Sequence, residues 1–150
     1  MINLKNLNII LTGATGGIGS AILEKLYHCN AKIIATGTKE DKLQELRNKF
    51  NNCTIKKFDI TNHELIEKFI DECNEIFENK IDILINNAGI AGPNFKTWDY
   101  PIEEWQKVID IDLSGVFYCC KTIVPHFIKN NYGRIVNISS IAGKEGNPNA

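Results

Sequence analysis

The stretch LNIILTGATGGIG, residues 7–19, decides the fold. Its first part, residues 7–12, is an apolar run that ends at a glycine turn, which is the pattern of a strand buried on both faces of a parallel sheet. From Gly17 the apolar spacing changes to that of one helical stripe, which should run to about Asn30 and consists of Ile18, Ile22, Leu26 and Cys29. The stretch therefore predicts a strand, a glycine-rich turn and a helix, the first half of a βαβ unit.

The same alternation continues along the rest of the chain. Further strands are predicted at residues 32–36, 54–58, 81–86 and 134–139, and helices at about 39–50, from Thr61 onward and at about 102–129. Glu64 follows Thr61 at the spacing of a capping box, and Pro125 should kink or interrupt the last helix. This alternation predicts an α/β chain with a Rossmann-type doubly wound parallel sheet, a single domain over residues 1–150 that is truncated after the fifth strand.

Composition excludes several classes of protein. The 150 residues are 43% hydrophobic and 23% charged with a formal net charge of -1, as is usual for a globular domain. Lysine and arginine are scattered, so we expect neither nucleic acid nor a membrane surface as a partner. The five cysteines form no CxxC pair and have no histidine at metal-ligand spacing, so we expect no metal and buried, reduced thiols. The short N-terminal apolar run is neither a signal peptide nor a membrane span, and we expect a cytoplasmic protein.

Three motifs fall where predicted strands end. The glycines of TGATGGIG, Gly13, Gly17 and Gly19, allow a tight turn and the close approach of a pyrophosphate to the N-terminus of the next helix. NNAG follows the fourth strand and ends at Gly89, and the first and fourth strands should flank the switch point, so these two motifs should converge on one crevice. The third motif is a serine pair that ends at Ser140. Taken singly, NNAG is also consistent with a simple turn, and the serine pair with a helix cap or a loop.

In this order and spacing the three motifs resemble those of the short-chain dehydrogenase/reductase family, and the resemblance covers essentially the whole chain. The run GRIVNISSIAG at residues 133–143, followed by a GNP loop at 146–148, is similar to that of 3-oxoacyl-carrier-protein reductases within the family. The resemblance implies an enzyme that interconverts a carbonyl and a secondary alcohol by hydride transfer with NAD(P)(H). It also implies a small-molecule or acyl-carrier-bound carbonyl substrate and a full-length protein that is a homo-oligomer.

The resemblance assigns site residues as well. Ser140 would orient and polarise the substrate oxygen, and Asp112 takes the place of a family asparagine that holds a water in a proton relay. Because aspartate lacks the amide donor and adds a charge, a solvated helix residue is the alternative for Asp112. Asp59 and Ile60 match the family's adenine-contacting position, although Asp59 is equally consistent with a strand-end turn. The implied cofactor-binding residues are Thr12, Gly13, Thr15, Gly17, Ile18, Gly19, Thr38, Asp59, Ile60, Asn87, Ala88 and Gly89.

The end of the second strand bears on the choice of cofactor. NAD-specific members of the family commonly carry an aspartate at the place of Gly37, where it binds the ribose hydroxyls. This chain has no acid there, so a 2′-phosphate is admissible, and Thr38 and Lys39 could bind it. We therefore expect NADP(H) to be favoured over NAD(H).

The family's general acid is not among these residues. The resemblance implies a Tyr-x-x-x-Lys pair whose tyrosine comes about thirteen residues after Ser140, just beyond Ala150, and none of the four tyrosines present precedes a lysine at that spacing. We therefore expect the 150 residues to be an incomplete and inactive portion of the enzyme. The alternative is a non-catalytic dinucleotide-binding module. A sugar-nucleotide epimerase is disfavoured because its glycines are spaced G-x-x-G-x-x-G.

Overall fold

Five parallel strands form one sheet in the computed structural model, which describes residues 4–146. The strands are β1 Asn8–Leu11, β2 Lys32–Gly37, β3 Thr54–Lys57, β4 Ile83–Asn86 and β5 Arg134–Asn137. Their order is β3-β2-β1-β4-β5, so β1 and β4 flank the point where the direction of winding reverses. In the register, Ile10 of β1 pairs with Ile34 of β2 and with Leu84 of β4. The predicted doubly wound sheet is confirmed.

Helices cover both faces of this sheet. They are α1 Gly17–His28, α2 Glu40–Lys49, α3 Ile66–Ile76, α4 Ile102–Ile109 and α5 Val116–Lys129. Alternate residues of each strand point to opposite faces. Ile34 and Leu84 therefore join a core with α3 and α5, whereas Ile33 and Ile85 join a second core with α1 and α2. The two cores explain why the inner strands read as apolar runs and not as an alternation of apolar and polar residues.

α1 faces the core with most of the predicted stripe, because Ile22 and Leu26 are half-buried against the core and Cys29 is buried. Its first residue is the exception. Ile18 opens the predicted stripe but is 64% exposed, whereas Leu23, outside the stripe, is fully buried. Gly19 and Leu23 are the buried residues of α1, one turn apart, because the helix packs closely through Gly19. Ile18, near the start of the helix, lies on the surface beside the glycine-rich turn.

α3 begins later than predicted. Thr61 and Glu64 do not form a capping box, because α3 begins at Ile66 and no side chain caps it. The hydroxyl and the N–H of Thr61 instead donate to Asp59 Oδ1 at 2.8 and 3.0 Å. This local turn takes up the donors of Thr61, so the chain continues irregularly before the helix starts.

The predicted helix at about 102–129 is interrupted, but not at Pro125. Pro125 lies inside α5, and the irregularity is a π-helical turn at Asp110–Gly115 between α4 and α5. A Cβ added to Gly115 would lie 2.7 Å from Ile60 Cδ1. The close approach of this turn to the loop after β3 therefore requires glycine.

The five cysteines differ in burial. Cys29, Cys73 and Cys119 are buried, Cys53 and Cys120 are half-buried, and all five cysteines are free. The expectation of buried thiols is thus confirmed for three of them. Between residues 4 and 146, no helix has the length and apolar character needed to cross a membrane.

Candidate functional site

Gly13 and Gly19 bring the turn after β1 against the loop after β4. Gly13 has a left-handed φ of 66°, and a Cβ added to it would lie 2.5 Å from Ala88 Cα. A Cβ added to Gly19 would overlap Gly13 O and lie 2.7 Å from Asn87 Nδ2. These two glycines are therefore required by contacts within the protein, and they place Ala88 beside the turn.

Gly16 and Gly17 leave the start of α1 open. A Cβ added to Gly17 would have nothing within 4 Å, and one added to Gly16 would meet only Gly13 O, at 3.8 Å. Gly16 is the N-cap of α1, no side chain caps the helix, and its first turn carries no acid. The first N–H groups of a helix lack intrahelical partners and carry partial positive charge. The turn therefore offers donors to an anion at Gly17 and Ile18, which are both exposed.

Hydrogen bonds join Thr12 to Asn87 and Ala88, and we name this set the Thr12–Asn87 clamp. The Thr12 hydroxyl accepts from the N–H groups of Asn87 and Ala88 at 3.0 and 3.1 Å and donates to Ile85 O at 3.4 Å. The Asn87 amide donates back to Thr12 O at 3.1 Å and to Gly13 O at 3.0 Å. Thr12 is 1% exposed, so its hydroxyl makes its hydrogen bonds within the protein. Direct contact of Thr12 or Asn87 with a cofactor stays a prediction.

The end of β2 lies beside the same turn. Gly37 is buried, and a Cβ added to it would lie 2.6 Å from Thr15 Cγ2. The Thr36 hydroxyl is buried and has no hydrogen-bond partner among residues 4–146. Thr38 and Lys39, the predicted ligands of a 2′-phosphate, are exposed just before α2. The structure thus brings Thr15 and the β2 end together next to the open start of α1.

Asp59 and Ile60 follow β3. Asp59 Oδ1 accepts both donors of Thr61, which is the strand-end turn that the sequence left open as the alternative. Ile60 is 5% exposed and packs against Gly115. Ile60 is therefore a core residue as well as a candidate, Asp59 is exposed, and adenine contact by either stays a prediction.

Asp112 reaches from the π-helical turn to the loop after β4. Its Oδ1 accepts from the Ile90 N–H at 2.9 Å and lies 3.4 Å from the position of a Cβ added to Gly89. The carboxylate thus anchors the loop that carries NNAG, and the Oδ1 of an asparagine could accept the same bond. Its part in a proton relay stays a prediction.

Ser140 lies at the end of β5 and caps a short 3-10 turn, Ile141–Gly143. Its Oγ accepts from the Ala142 N–H at 3.2 Å. The cap that the sequence left open is therefore present. A hydroxyl that accepts one bond keeps its own proton to donate, so the cap does not prevent Ser140 from binding an oxygen.

Asn86, the first residue of NNAG, ties the ends of β4 and β5 together. Asn86 Nδ2 donates to Asn137 Oδ1 at 2.9 Å and to Cys120 Sγ at 3.4 Å. Asn86 and Asn137 are register partners in β4 and β5. Asn86 and Asn137 lie within the motifs NNAG and GRIVNISSIAG, but no pattern in the sequence indicated their contact with each other or with Cys120.

An open cleft of about 620 Å³ adjoins Asp59, between the loop after β3 and α4. Thr61, Glu103, Lys107 and Asp110 also line it. Within residues 4–146, no three histidine, cysteine, aspartate or glutamate side chains lie together as metal ligands would. The groups gathered at the strand ends are glycine backbone, hydroxyls and amides, together with the carboxylates of Asp59 and Asp112, which accept from Thr61 and Ile90. The backbone N–H groups, hydroxyls and amides suit phosphates and neutral polar groups.

Comparison with known proteins identifies the family. The sequence profile of the short chain dehydrogenase family matches residues 7–150. The chain belongs to the short-chain dehydrogenase family. It is 35% identical over 141 residues to 2-dehydro-3-deoxy-L-rhamnonate dehydrogenase (NAD(+)) of Sphingomonas sp. (strain SKA58), across 94% of this chain and 56% of that enzyme. It is 38% identical over 151 residues to the 3-oxoacyl-[acyl-carrier-protein] reductase FabG of Rickettsia bellii, across 99% of this chain and 59% of the reductase.

Solved structures agree with this assignment. The closed form of serine dehydrogenase complexed with NADP+ has a TM-score of 0.85 at 33% identity, and the match covers 94% of this chain and 57% of that one. The chain thus spans little more than half the length of the relatives that it matches. Membership of this oxidoreductase family, with its NAD(P)-dependent members, confirms the resemblance that the motifs predicted.

Proposed function

We propose that residues 1–150 form one dinucleotide-binding domain of an NADP(H)-dependent oxidoreductase, which interconverts a carbonyl and a secondary alcohol. The observation that carries this proposal is the uncapped start of α1, held open at Gly16 and Gly17 beside a loop fastened by the Thr12–Asn87 clamp. A pyrophosphate is the ligand that such a helix N-terminus favours, because unpaired N–H groups and the helix dipole both attract an anion.

The residues present fit a dinucleotide. Gly16, Gly17 and Ile18 would hold the pyrophosphate, and the space in front of Gly17 is free of protein atoms. The Thr36 hydroxyl at the end of β2 is a buried polar atom without a hydrogen-bond partner among residues 4–146. When bound, a nicotinamide dinucleotide supplies or takes up the hydride.

Ser140 would bind the substrate oxygen. Reduction of a carbonyl places negative charge on its oxygen, so hydrogen-bond donors must already surround that atom. The Ala142 N–H orients Ser140 Oγ and leaves its proton available for such a bond. Asp112, which holds the Ile90 N–H, would keep the loop after β4 in place during this reaction.

The preference for NADP(H) rests on the absence of an acid at Gly37 together with Thr38 and Lys39. One relative named above is NAD(+)-dependent and one structural neighbour was solved with NADP+, so the family allows both. We further propose a small or acyl-carrier-bound carbonyl substrate, as the FabG similarity suggests, and a homo-oligomer in the cytoplasm.

Fluorescence titration of the 150-residue chain with NADPH and with NADH tests the proposal. We expect NADPH to bind more tightly, and Lys39→Met to weaken NADPH binding about fivefold with little effect on NADH, because only NADPH carries a phosphate for the lysine. Lys42→Met is the matched control, since Lys42 is held by Glu45 at 2.9 Å. Equal binding of the two dinucleotides, unchanged in Lys39→Met, would reject the preference for NADP(H).

The same titration tests whether the start of α1 binds a dinucleotide at all. A folded chain that binds neither dinucleotide would contradict the assignment of the α1 start as a pyrophosphate site. The Tyr-x-x-x-Lys pair expected beyond Ala150 stays a prediction, and the coding sequence after codon 150 tests it directly. A stop codon there would favour the alternative of a binding module without catalysis.

A further inference from the structure

The side chain of Thr15 fills the space in front of Gly37. A Cβ added to Gly37 would lie 2.6 Å from Thr15 Cγ2, 2.8 Å from Thr15 Oγ1 and 3.3 Å from Thr15 Cβ. All three nearest atoms thus belong to one residue. Gly37 is buried, and its φ is not in the left-handed region, so the obstacle to a side chain at position 37 is this contact and not the backbone conformation.

Rotation of Thr15 does not clear the space. Threonine places two heavy γ atoms in three staggered positions, and both positions that face Gly37 are now occupied. Any other rotamer leaves at least one of those two positions filled. A residue larger than glycine at position 37 therefore requires the turn itself to move.

Hydrogen bonds oppose that movement on both sides of the contact. The Ala14 N–H donates to Thr36 O at 2.7 Å, which ties the turn to the end of β2. The Phe58 N–H donates to Gly37 O at 3.0 Å, which holds Gly37 against the chain after β3. Shifting the turn away from Gly37 would stretch the Ala14–Thr36 bond, and shifting Gly37 away from the turn would stretch the Phe58–Gly37 bond.

We propose that Thr15, through its contact with Gly37, is a specificity-determining residue for the cofactor. It prevents an acidic side chain at position 37, and so keeps the end of β2 free of the carboxylate that would bind a ribose diol and repel a 2′-phosphate. The pair Thr15–Gly37, and not position 37 alone, decides between dinucleotides with and without that phosphate. This inference rests on the proposed function, because it presumes that a dinucleotide binds here.

The surrounding charges favour the phosphate. Lys57 is the register partner of Gly37 and is exposed, as is Lys39. Glu40, in the first turn of α2, is paired with Arg47 at 2.6 Å, which offsets its charge. With the acid excluded at position 37, Lys39 and Lys57 are the exposed cations beside the end of β2, and Asp59, two residues after Lys57, is the exposed acid.

A double-mutant cycle without any ligand tests the contact. Gly37→Ala is made in the wild-type, Thr15→Val and Thr15→Ala backgrounds, and each chain is unfolded in urea. We expect Gly37→Ala to lower the urea midpoint by about 0.5 to 1 M in the first two backgrounds and by much less in Thr15→Ala, which lacks both γ atoms. Gly143→Ala is the matched control, since no atom lies within 4 Å of its added Cβ. Equal shifts for Gly37→Ala in all three backgrounds would overturn the proposal.

Dinucleotide binding tests the consequence for specificity. Gly37→Asp is made in the same three backgrounds and titrated with NADPH and NADH by fluorescence. We expect Gly37→Asp alone, and with Thr15→Val, to bind both weakly, whereas Gly37→Asp with Thr15→Ala binds NADH about tenfold more tightly than Gly37→Asp alone and does not regain NADPH. Thr15→Val keeps two γ atoms but removes the hydroxyl, so it distinguishes the effect of the side-chain volume from that of the hydroxyl.

The two failures are distinguishable. If Gly37→Asp by itself shifts the preference to NADH as far as the double variant does, Thr15 is not a determinant although the proposed function stands. If the wild-type chain binds neither dinucleotide, both the proposed function and the specificity role of Thr15 are rejected. The urea measurements would then test only the contact between Thr15 and Gly37. A Gly37→Asp chain that does not fold unless Thr15→Ala is present supports the contact.

Discussion

At the scale of single residues, one hydroxyl holds the two halves of the crevice together. Thr12 Oγ1 accepts the N–H groups of two successive residues, Asn87 and Ala88, which lie 75 and 76 positions further along the chain. These two N–H groups are part-buried, and within residues 4–146 they have no other acceptor. A group that satisfies two donors at once is costly to remove, because each buried donor then loses its partner.

Thr12→Val should therefore destabilise the protein by about 2 to 3 kcal/mol, since valine has the shape of threonine but accepts no hydrogen bond. Thr12→Ser is the control, because it keeps the hydroxyl and loses only a methyl group. Urea unfolding measures both. A Thr12→Val chain as stable as Thr12→Ser would mean that the clamp contributes nothing. In the same variant we expect weaker dinucleotide binding, because the loop after β4 would no longer be held beside Gly13.

At the scale of elements, α3 and α5 share a core that contains two buried thiols. Cys73 of α3 and Cys119 of α5 are 0% and 2% exposed and belong to the same core. Burial raises the pKa of each thiol from its usual 9.0 to about 12. A thiolate would have to form inside an apolar core, whereas in the unfolded chain it forms in water.

This difference predicts how stability depends on pH. Below pH 9.0 both thiols are protonated in the folded and unfolded chains, so their contribution is fully present. As the pH rises from 9.0 towards about 12, the unfolded chain ionises first and the folded state loses stability. We expect the free energy of unfolding to fall by about 2 to 3 kcal/mol between pH 8 and pH 10.

The double variant Cys73→Ala with Cys119→Ala isolates this effect. Lysine and tyrosine groups titrate in the same range in both proteins, so only the difference in pH dependence is informative. The variant should be less stable at pH 8, but its stability should decline less between pH 8 and pH 10. Parallel declines in the two proteins would show that the thiols do not ionise differently on unfolding.

At the scale of the whole molecule, the sheet has one edge unlike the rest. All four residues of β5 are exposed, including Ile135 and Val136 at 37% and 44%. Within residues 4–146 no further strand pairs with the outer edge of β5. The N–H groups of Arg134 and Ile138 donate to Asp82 O and Asn86 O of the neighbouring chain segment. Alternate N–H groups of a strand point in opposite directions, so those of Ile135 and Asn137 face the free edge.

Hydrogen exchange should therefore alternate along β5. We expect the amides of Ile135 and Asn137 to exchange at least about tenfold faster than that of Ile138, because they lack acceptors among the described residues. The amide of Ile10 provides the protected reference, since β1 pairs on both sides. Protection of Ile135 and Asn137 as strong as that of Ile10 would mean that another chain segment or another copy covers this edge.

The sequence by itself determined the order of strands and helices, the doubly wound sheet and the family. Apolar runs that end at glycine turns identify buried parallel strands, and the motifs TGATGGIG and NNAG mark the carboxyl ends of two of them. These features are local, because a run of apolar residues or a helical stripe reflects the faces that one short segment buries.

The tertiary structure alone decided which side chains meet. Gly13 and Gly19 proved to be packing residues and Gly16 with Gly17 the open ones, because contacts with Asn87 and Ala88 distinguish four glycines that look alike in the sequence. Ile18 is exposed although the rest of its predicted stripe packs against the core, and Thr61 binds Asp59 instead of capping α3. The contact of Thr15 with Gly37 likewise joins positions on separate elements. Such contacts depend on distances between segments that are far apart in the chain, so the local spacing of apolar residues does not predict them.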